Sequence, residues 1–272
     1  MPLRHAYAQT LHRPAHISHR GGARVEPENT LLAFTRAVTE FRTDVLELDV
    51  HRTRDGVIVV HHDATVERCT DGTGPIASFS FAELSRLDAG FRFSVDGGLT
   101  FPRRGQGIRI PSLAEVLDAC PGVRINLEVK PDVPGLEAQL AAQLRARDEV
   151  ARFCLGSESD VVASRLVEAL PEACHFFPRD ALTAFVLGAL NGDETPPDAR
   201  FHVADMPAVW EGMPLITPEL LRIATLHGVA VLVWTIDDEA EMRTLLQAGV
   251  DGIMTDRPDV LRAVLGASSL IP

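Results

Sequence analysis

Val45-Leu46-Glu47-Leu48-Asp49-Val50-His51 alternates residue by residue between two chemistries. Successive side chains on a β-strand point to opposite faces. Val45, Glu47, Asp49 and His51 therefore share one face, and Leu46, Leu48 and Val50 share the other. An aliphatic face has to be covered by other apolar elements, as helices cover the outside of a barrel strand. That turns the acidic face inward. Two carboxylates in an interior are costly unless they pair or hold a cation. Both lie toward the C-terminal end of the run, where barrel enzymes carry their sites.

The same pattern returns some eighty residues later. Asn126, Glu128 and Lys130 share a face, with Leu127 and Val129 opposite. Around these two runs, short apolar stretches alternate with helical patterns. Strands are predicted over 15–19, 44–51, 123–130, 152–156, 174–178, 201–204, 229–235 and 252–255. Helices are predicted over 30–41, 112–119, 135–146, 160–170, 180–190, 217–226, 238–248 and 258–265. Asn29 and Asp237 stand as helix start signals, Ser112 with Glu115 forms a capping box, and Gly228 and Gly249 follow helix ends. This order predicts an α/β fold, a (β/α)8 TIM barrel, as a single domain over 1–272. The runner-up is an open doubly wound sheet, which usually carries a Gly-rich phosphate loop after its first strand. Gly21-Gly22 is no G-x-G-x-x-G. One stretch breaks the alternation: 64–110 is glycine-rich with one short helical piece near 81–88. Long structured insertions are usually functional, so a small inserted subdomain after the second strand, over the barrel mouth, is expected.

The 272 residues are 46% hydrophobic and 24% charged, ordinary for a chain with a large core. A net charge of −12 argues against a nucleic-acid partner, whose phosphates need Lys and Arg. A small anionic substrate then needs a local cation. Cys69, Cys120, Cys154 and Cys174 form no C-x-x-C pair and no zinc spacing with histidine, and read as reduced thiols. No secretory h-region and no run near 18 apolar residues is visible, so a cytoplasmic protein without stable membrane insertion is expected. The oligomeric state is not set by any of this.

Glu47, Asp49 and Glu128 make an oxygen-rich cluster suited to Mg²⁺, Ca²⁺ or Mn²⁺. The other reading of the same carboxylates is an ion-pair network with Arg20 and Lys130. His19 ends the first strand. His62 ends a run that follows the turn at Asp55-Gly56. Two histidines at neighbouring strand ends suit general acid and base catalysis. His62 is favoured over His61 because Asp63 follows it and can orient the ring. Arg20 and Lys130 supply fixed positive charge for phosphate oxygens. Gly21-Gly22 permits close backbone approach to a ligand, and Trp234 is an apolar wall candidate. No G-x-S-x-G and no H-E-x-x-H is present.

These residues resemble the glycerophosphodiester phosphodiesterase family. Its opening pattern stands as His19-Arg20-Gly21 with Pro27-Glu28-Asn29-Thr30. Its later pieces stand as Glu47-Leu48-Asp49, Asp55-Gly56, His62-Asp63, Ile110-Pro111-Ser112-Leu113-Ala114-Glu115 and Leu127-Glu128-Val129-Lys130. Its closing strands stand as Val233-Trp234-Thr235-Ile236-Asp237 and Gly249-Val250-Asp251-Gly252-Ile253-Met254-Thr255-Asp256. The resemblance implies a barrel with an insertion, a divalent metal on Glu47, Asp49 and Glu128, and His19 and His62 as the acid/base pair. It implies that Arg20, Glu28 and Lys130 position phosphate and metal. The implied reaction hydrolyses a glycerophosphodiester, a small-molecule substrate, to glycerol 3-phosphate and an alcohol. His19 would be base toward the nucleophile and His62 acid toward the leaving group. Gly156-Ser157-Glu158-Ser159 and residues 171–216 depart from the family pattern. A lysophospholipase D-like enzyme and a non-catalytic barrel binding phosphoglycerol are the alternatives.

Overall fold

The computed structural model describes residues 2–268. Among the described residues, eleven strands and ten α-helices follow one another. Helix α1 (Ala6–Gln9) precedes β1 (Ala15–Ser18), then come α2 (Leu31–Thr39), β2 (Val45–Arg52) and β3 (Ile58–Val60). The insertion holds α3 (Phe81–Leu84). After it run α4 (Leu113–Ala119), β4 (Arg124–Val129), α5 (Leu136–Ala146), β5 (Phe153–Gly156), α6 (Asp160–Ala169), β6 (Cys174–His175) and α7 (Arg179–Leu190). The last part holds β7 (Val203–Pro207), the pair β8 (Val209–Trp210) and β9 (Met213–Pro214), α8 (Pro218–His227), β10 (Ala230–Trp234), α9 (Glu239–Ala248), β11 (Gly252–Thr255) and α10 (Pro258–Ser268).

The parallel strands run in the order β6-β5-β4-β2-β1-β11-β10-β7, with β3 antiparallel on β2. A parallel bridge from Phe176 to Val203 joins the two ends of that order, backed by Phe177 N–H on the Val203 carbonyl at 3.0 Å. This is the (β/α)8 barrel expected from the alternation. Its weakest seam lies at β6, where the predicted strand 174–178 pairs over only two residues because Pro178 already begins α7. β7 starts later and runs longer than predicted, reaching Pro207.

The two faces of β2 separate as alternation requires. Leu46, Leu48 and Val50 join an outer core with α2, α4, α5 and α6. Val45 instead joins Ala15, Ile17, Cys154, Cys174, Val203, Ala230 and Leu232 inside the barrel. Full burial of one such aliphatic side chain contributes about 1.5–3 kcal/mol. Leu3, Tyr7, Ala8 and Leu11 close the barrel's N-terminal end in the same cluster. The interior is thus apolar at that end and polar at the other.

Several local expectations shift by a residue. Thr30, not Asn29, caps α2, and its hydroxyl accepts the Ala33 N–H. Asp238, not Asp237, caps α9. Ser112 and Glu115 form the capping box on α4, and Gly228 and Gly249 take left-handed C-cap conformations. Gly21 and Gly22, with φ of +83° and +104°, answer a packing need: a Cβ on Gly21 would lie 2.7 Å from Ala33 Cβ, and one on Gly22 2.7 Å from Pro258 Cγ. They let the turn after β1 sit against α2 and α10. The insertion builds a small core of Val66, Ile76, Leu84 and Ala89 with Val59 of β3 and Ile110. Arg103 ties it to Glu26. Among the described residues no helix is long and apolar enough to cross a membrane.

Candidate active site

The strand ends position the carboxylates. Asp49 pairs in register with Glu128, and Glu47 with Asn126, across β2 and β4. Asp49 is 1% exposed and surrounded by donors. Lys130 Nζ lies 3.1 Å from Oδ1, and Asn29 Nδ2 (3.0 Å) and Arg20 Nε (3.4 Å) lie on Oδ2. Burial raises the Asp49 pKa, but Lys130 and Arg20 outweigh it and hold the group below the ordinary value. Asn29, freed from capping, is held at φ 56° and acts as this donor instead. Glu47 accepts the Arg20 N–H at 2.9 Å through Oε2, and Glu128 accepts Lys130 Nζ at 2.7 Å through Oε2. Burial, with Asp49 as a like-charged neighbour, raises both glutamates. Neither Oε1 carries a hydrogen bond among the described residues.

The ion-pair network with Arg20 and Lys130 is therefore present. Among the described residues, no group of three or more His, Cys, Asp or Glu side chains is drawn together in a metal-holding arrangement.

Both histidine rings reach the same space. His19 opens a 3₁₀ turn in which Arg20 takes a left-handed φ of 51°, which swings its guanidinium back over Asp49 and Glu28. His19 Nδ1 lies 2.7 Å from Asp256 Oδ1, and Nε2 lies 3.9 Å from Glu47 Oε2. Burial lowers the His19 pKa, but Glu47 and Asp256 more than reverse this. His62 Nδ1 lies 2.6 Å from Asp63 Oδ1. The adjacent pair meets because the chain has left the strand there, so strand divergence no longer applies. Burial dominates at His62 and lowers it below its ordinary value. His61 turns away and bonds the Thr65 carbonyl at 3.1 Å.

A second layer fixes the first. Arg68, from the insertion, grips Glu28 at 2.6 and 2.8 Å and Asp63 at 2.6 Å, while Arg20 donates to Glu28 at 3.0 Å. Glu28 thus joins the two arginines rather than facing the open space. His19, Arg20, Glu47, Asp49, His62, Glu128, Lys130 and Trp234 all line one cavity of about 530 Å³ at the barrel's C-terminal end. Its far side is apolar, with Phe177, Val186 and Leu187 near α7 and Trp210 and Met213 from the β8–β9 hairpin.

Arg68 and Asp205 are absent from the residues singled out by sequence reading, and Asp256 stands there only at the end of a closing-strand motif, with no role given. Asp256 directly follows β11, and a strand-end carboxylate is the signal that marks it. Asp205 lies one residue past the predicted strand 201–204, and extending that strand turns it inward with Val203. Arg68 carries no signal in the sequence, since its partner Glu28 is 40 residues away.

A family model described as the glycerophosphoryl diester phosphodiesterase family matches residues 19–260. A glycerophosphodiester phosphodiesterase of Caldanaerobacter subterraneus subsp. tengcongensis is 32% identical over 255 residues, 90% of this chain and 95% of that one. A lysophospholipase D of Mus musculus is 31% identical over 277 residues, 92% of this chain and 85% of that one. The structure of an Oleispira antarctica phosphodiesterase in complex with the product sn-glycerol-3-phosphate superposes with a TM-score of 0.72 at 25% identity, covering 93% of this chain and 97% of that one.

Proposed function

The chain belongs to the glycerophosphoryl diester phosphodiesterase family, and from that premise we propose a cation-dependent cleavage in which His19 and His62 carry the protons. The enzyme is a phosphoric diester hydrolase acting on glycerophosphodiesters. The observation that carries the finer reading is the pair of histidine rings, each held by its own aspartate, lining one cavity with three carboxylates and two cations.

The donor set fits a hard divalent cation. Glu47 Oε1 and Glu128 Oε1 are open, Asp49 Oδ1 keeps a lone pair beside Lys130, and all three donors are oxygen. Burial raises both glutamates and the Asp49 charge adds to it, so a bound cation would favour their ionised form. Glu47, Asp49 and Glu128 would hold Mg²⁺, Ca²⁺ or Mn²⁺, which when bound supplies Lewis acidity toward the phosphoryl oxygens. A cation on Glu47 would weaken one of the interactions that raise His19, leaving that of Asp256 in place.

In the proposed route His19 takes the proton of the glycerol 2-hydroxyl as its oxygen attacks phosphorus. His62 gives a proton to the leaving alcohol oxygen as its P–O bond breaks. Water then opens the cyclic phosphodiester with the two roles exchanged, leaving glycerol 3-phosphate. Arg20 and Lys130 orient the phosphate as fixed cations. Asp63, held by Arg68, keeps the His62 tautomer. We also read residues 64–110 as a cover on one side of the mouth, a reading supported by Arg68 reaching across to Glu28.

Release of glycerol 3-phosphate from glycerophosphocholine, suppressed by EDTA and restored by a divalent cation, is the test. Release indifferent to the chelator overturns the cation. The apolar far wall favours a second reading, a lysophospholipase D-like preference for diesters whose alcohol carries an acyl chain. Competition between glycerophosphocholine and lysophosphatidylcholine decides it.

A further inference from the structure

The floor of the cavity holds a polar pair that the proposed chemistry leaves unused. Asn126, 1% exposed, projects inward from β4 at the level of Glu47. Asp205 projects inward from β7, and Asn126 Nδ2 donates to its Oδ2 at 2.5 Å. That bond fixes the amide orientation, because the reverse would set the amide oxygen against a carboxylate oxygen. It leaves Asn126 Oδ1 and Asp205 Oδ1 both buried and without a partner. A buried acceptor left unpaired costs about 1–3 kcal/mol, and native structures seldom keep two side by side. Both residues line the cavity, so the missing partner can come from a ligand.

The site itself says which end of the substrate that is. Phosphate oxygens are acceptors and belong with Arg20 and Lys130. The leaving alcohol faces the mouth and its apolar wall. The glycerol moiety remains, and its nucleophilic hydroxyl must lie beside His19, which is next to Glu47 and so level with Asn126. Two orphaned acceptors at this depth match a hydroxyl donor. We propose that Asn126 and Asp205 form the subsite that receives the terminal hydroxyl of the glycerol moiety, and so set selectivity for glycerol over shorter-functionalised diols. A hydroxyl there donates to one orphaned oxygen. When the carboxyl, which burial pushes up to about 7, carries a proton, it donates to that hydroxyl while the hydroxyl donates to Asn126 Oδ1. The protonated state satisfies both oxygens, and the ionised state satisfies one of them.

This inference rests on the proposed placement of phosphate and glycerol, and its test reads binding rather than turnover. Calorimetric titration compares glycerol 3-phosphate with 1,2-propanediol 1-phosphate, which lacks only the terminal hydroxyl. The wild-type protein is expected to bind the first about 10–100-fold more tightly, the range for one hydrogen bond inside a buried polar site. The double variant Asn126→Leu/Asp205→Leu removes both orphans with similar volume, so its melting temperature should match or exceed that of wild type. Its two dissociation constants should converge within about threefold. Asp205→Asn, which still accepts and donates, should keep the preference. Equal binding of both phosphates by the wild type, as when an ordered water fills the subsite, overturns the proposal whether or not the variants fold. So does a preference that survives in the double variant. A protein with this binding preference but no diesterase activity would overturn the proposed function and leave the subsite standing.

Discussion

Replacing Asp256 by Asn isolates how His19 is held. The carboxylate oxygen is 2.7 Å from Nδ1, a charge-assisted contact in a partly buried setting. Such a bond is worth about 1.5–3 kcal/mol, which at about 1.4 kcal/mol per decade is roughly a 10–150-fold loss if only positioning suffers. The amide adds a second effect. Its NH₂ can donate to Nδ1, which moves the ring proton to Nε2, the atom facing Glu47 and the reacting centre. A wrong tautomer of this kind costs up to about 10⁴-fold in a template triad. The expected fall in kcat is therefore about 10²–10⁴-fold, with KM nearly unchanged because Asp256 does not line the cavity. The fold should persist, because the Asp256 N–H still bonds Asp237 Oδ1 at 2.9 Å. Loss of the carboxylate also lowers the His19 pKa, so the acidic limb of the kcat/KM profile should move to lower pH. Steady-state kinetics at saturating divalent cation, with a thermal melt as control, measures this. In a His19→Ala background the same change should do almost nothing. The reasoning is refuted if Asp256→Asn keeps more than about a third of wild-type kcat, or costs as much without His19 as with it.

Three further outcomes follow from the same geometry. A divalent cation at about 100 times its Kd should stabilise the protein by about 2.7 kcal/mol, and Glu128→Gln should remove most of that gain in calorimetric melts; an unchanged gain argues against the carboxylate site. Arg68→Ala frees Asp63 and half of the Glu28 clamp, so kcat should fall about tenfold, with a stability loss of only about 1–2 kcal/mol because the side chain is 46% exposed. Asp205 has its folded-state pKa raised to about 7, above its unfolded value, so ionising it opposes folding: stability is lost as pH rises from about 4 to 7. Asp205→Asn removes that loss, and urea titrations should show its advantage over wild type larger at pH 8 than at pH 5; the opposite order refutes the assignment.

Much of this molecule is legible without coordinates. The alternation through Val45–His51 and through Asn126–Lys130 states which side chains face inward. The barrel, the three carboxylates and the Lys130 cation follow from it. The Ser112–Glu115 box and the glycines at 228 and 249 mark helix ends because those bonds close within a few residues. His62 over His61 is likewise a local choice.

Tertiary structure decided which groups meet. His19 finds Asp256 across 237 residues, and Glu28 finds Arg68 across 40. Asn29 looks like a cap yet donates to Asp49, because closing β1 against β2 puts that carboxylate within reach while Thr30 takes the cap. Gly21 and Gly22 also relieve contacts with Ala33 and Pro258, which only helix packing creates. Asp205 reaches the cavity only when β7 runs past 204 and the Phe176–Val203 bridge brings it opposite Asn126. Alternation and capping are set by atoms a few residues apart, so the sequence alone determined the faces and the helix ends. Partner choice depends on where a closed ring of strands sets its ends, and the chain carries no local record of that.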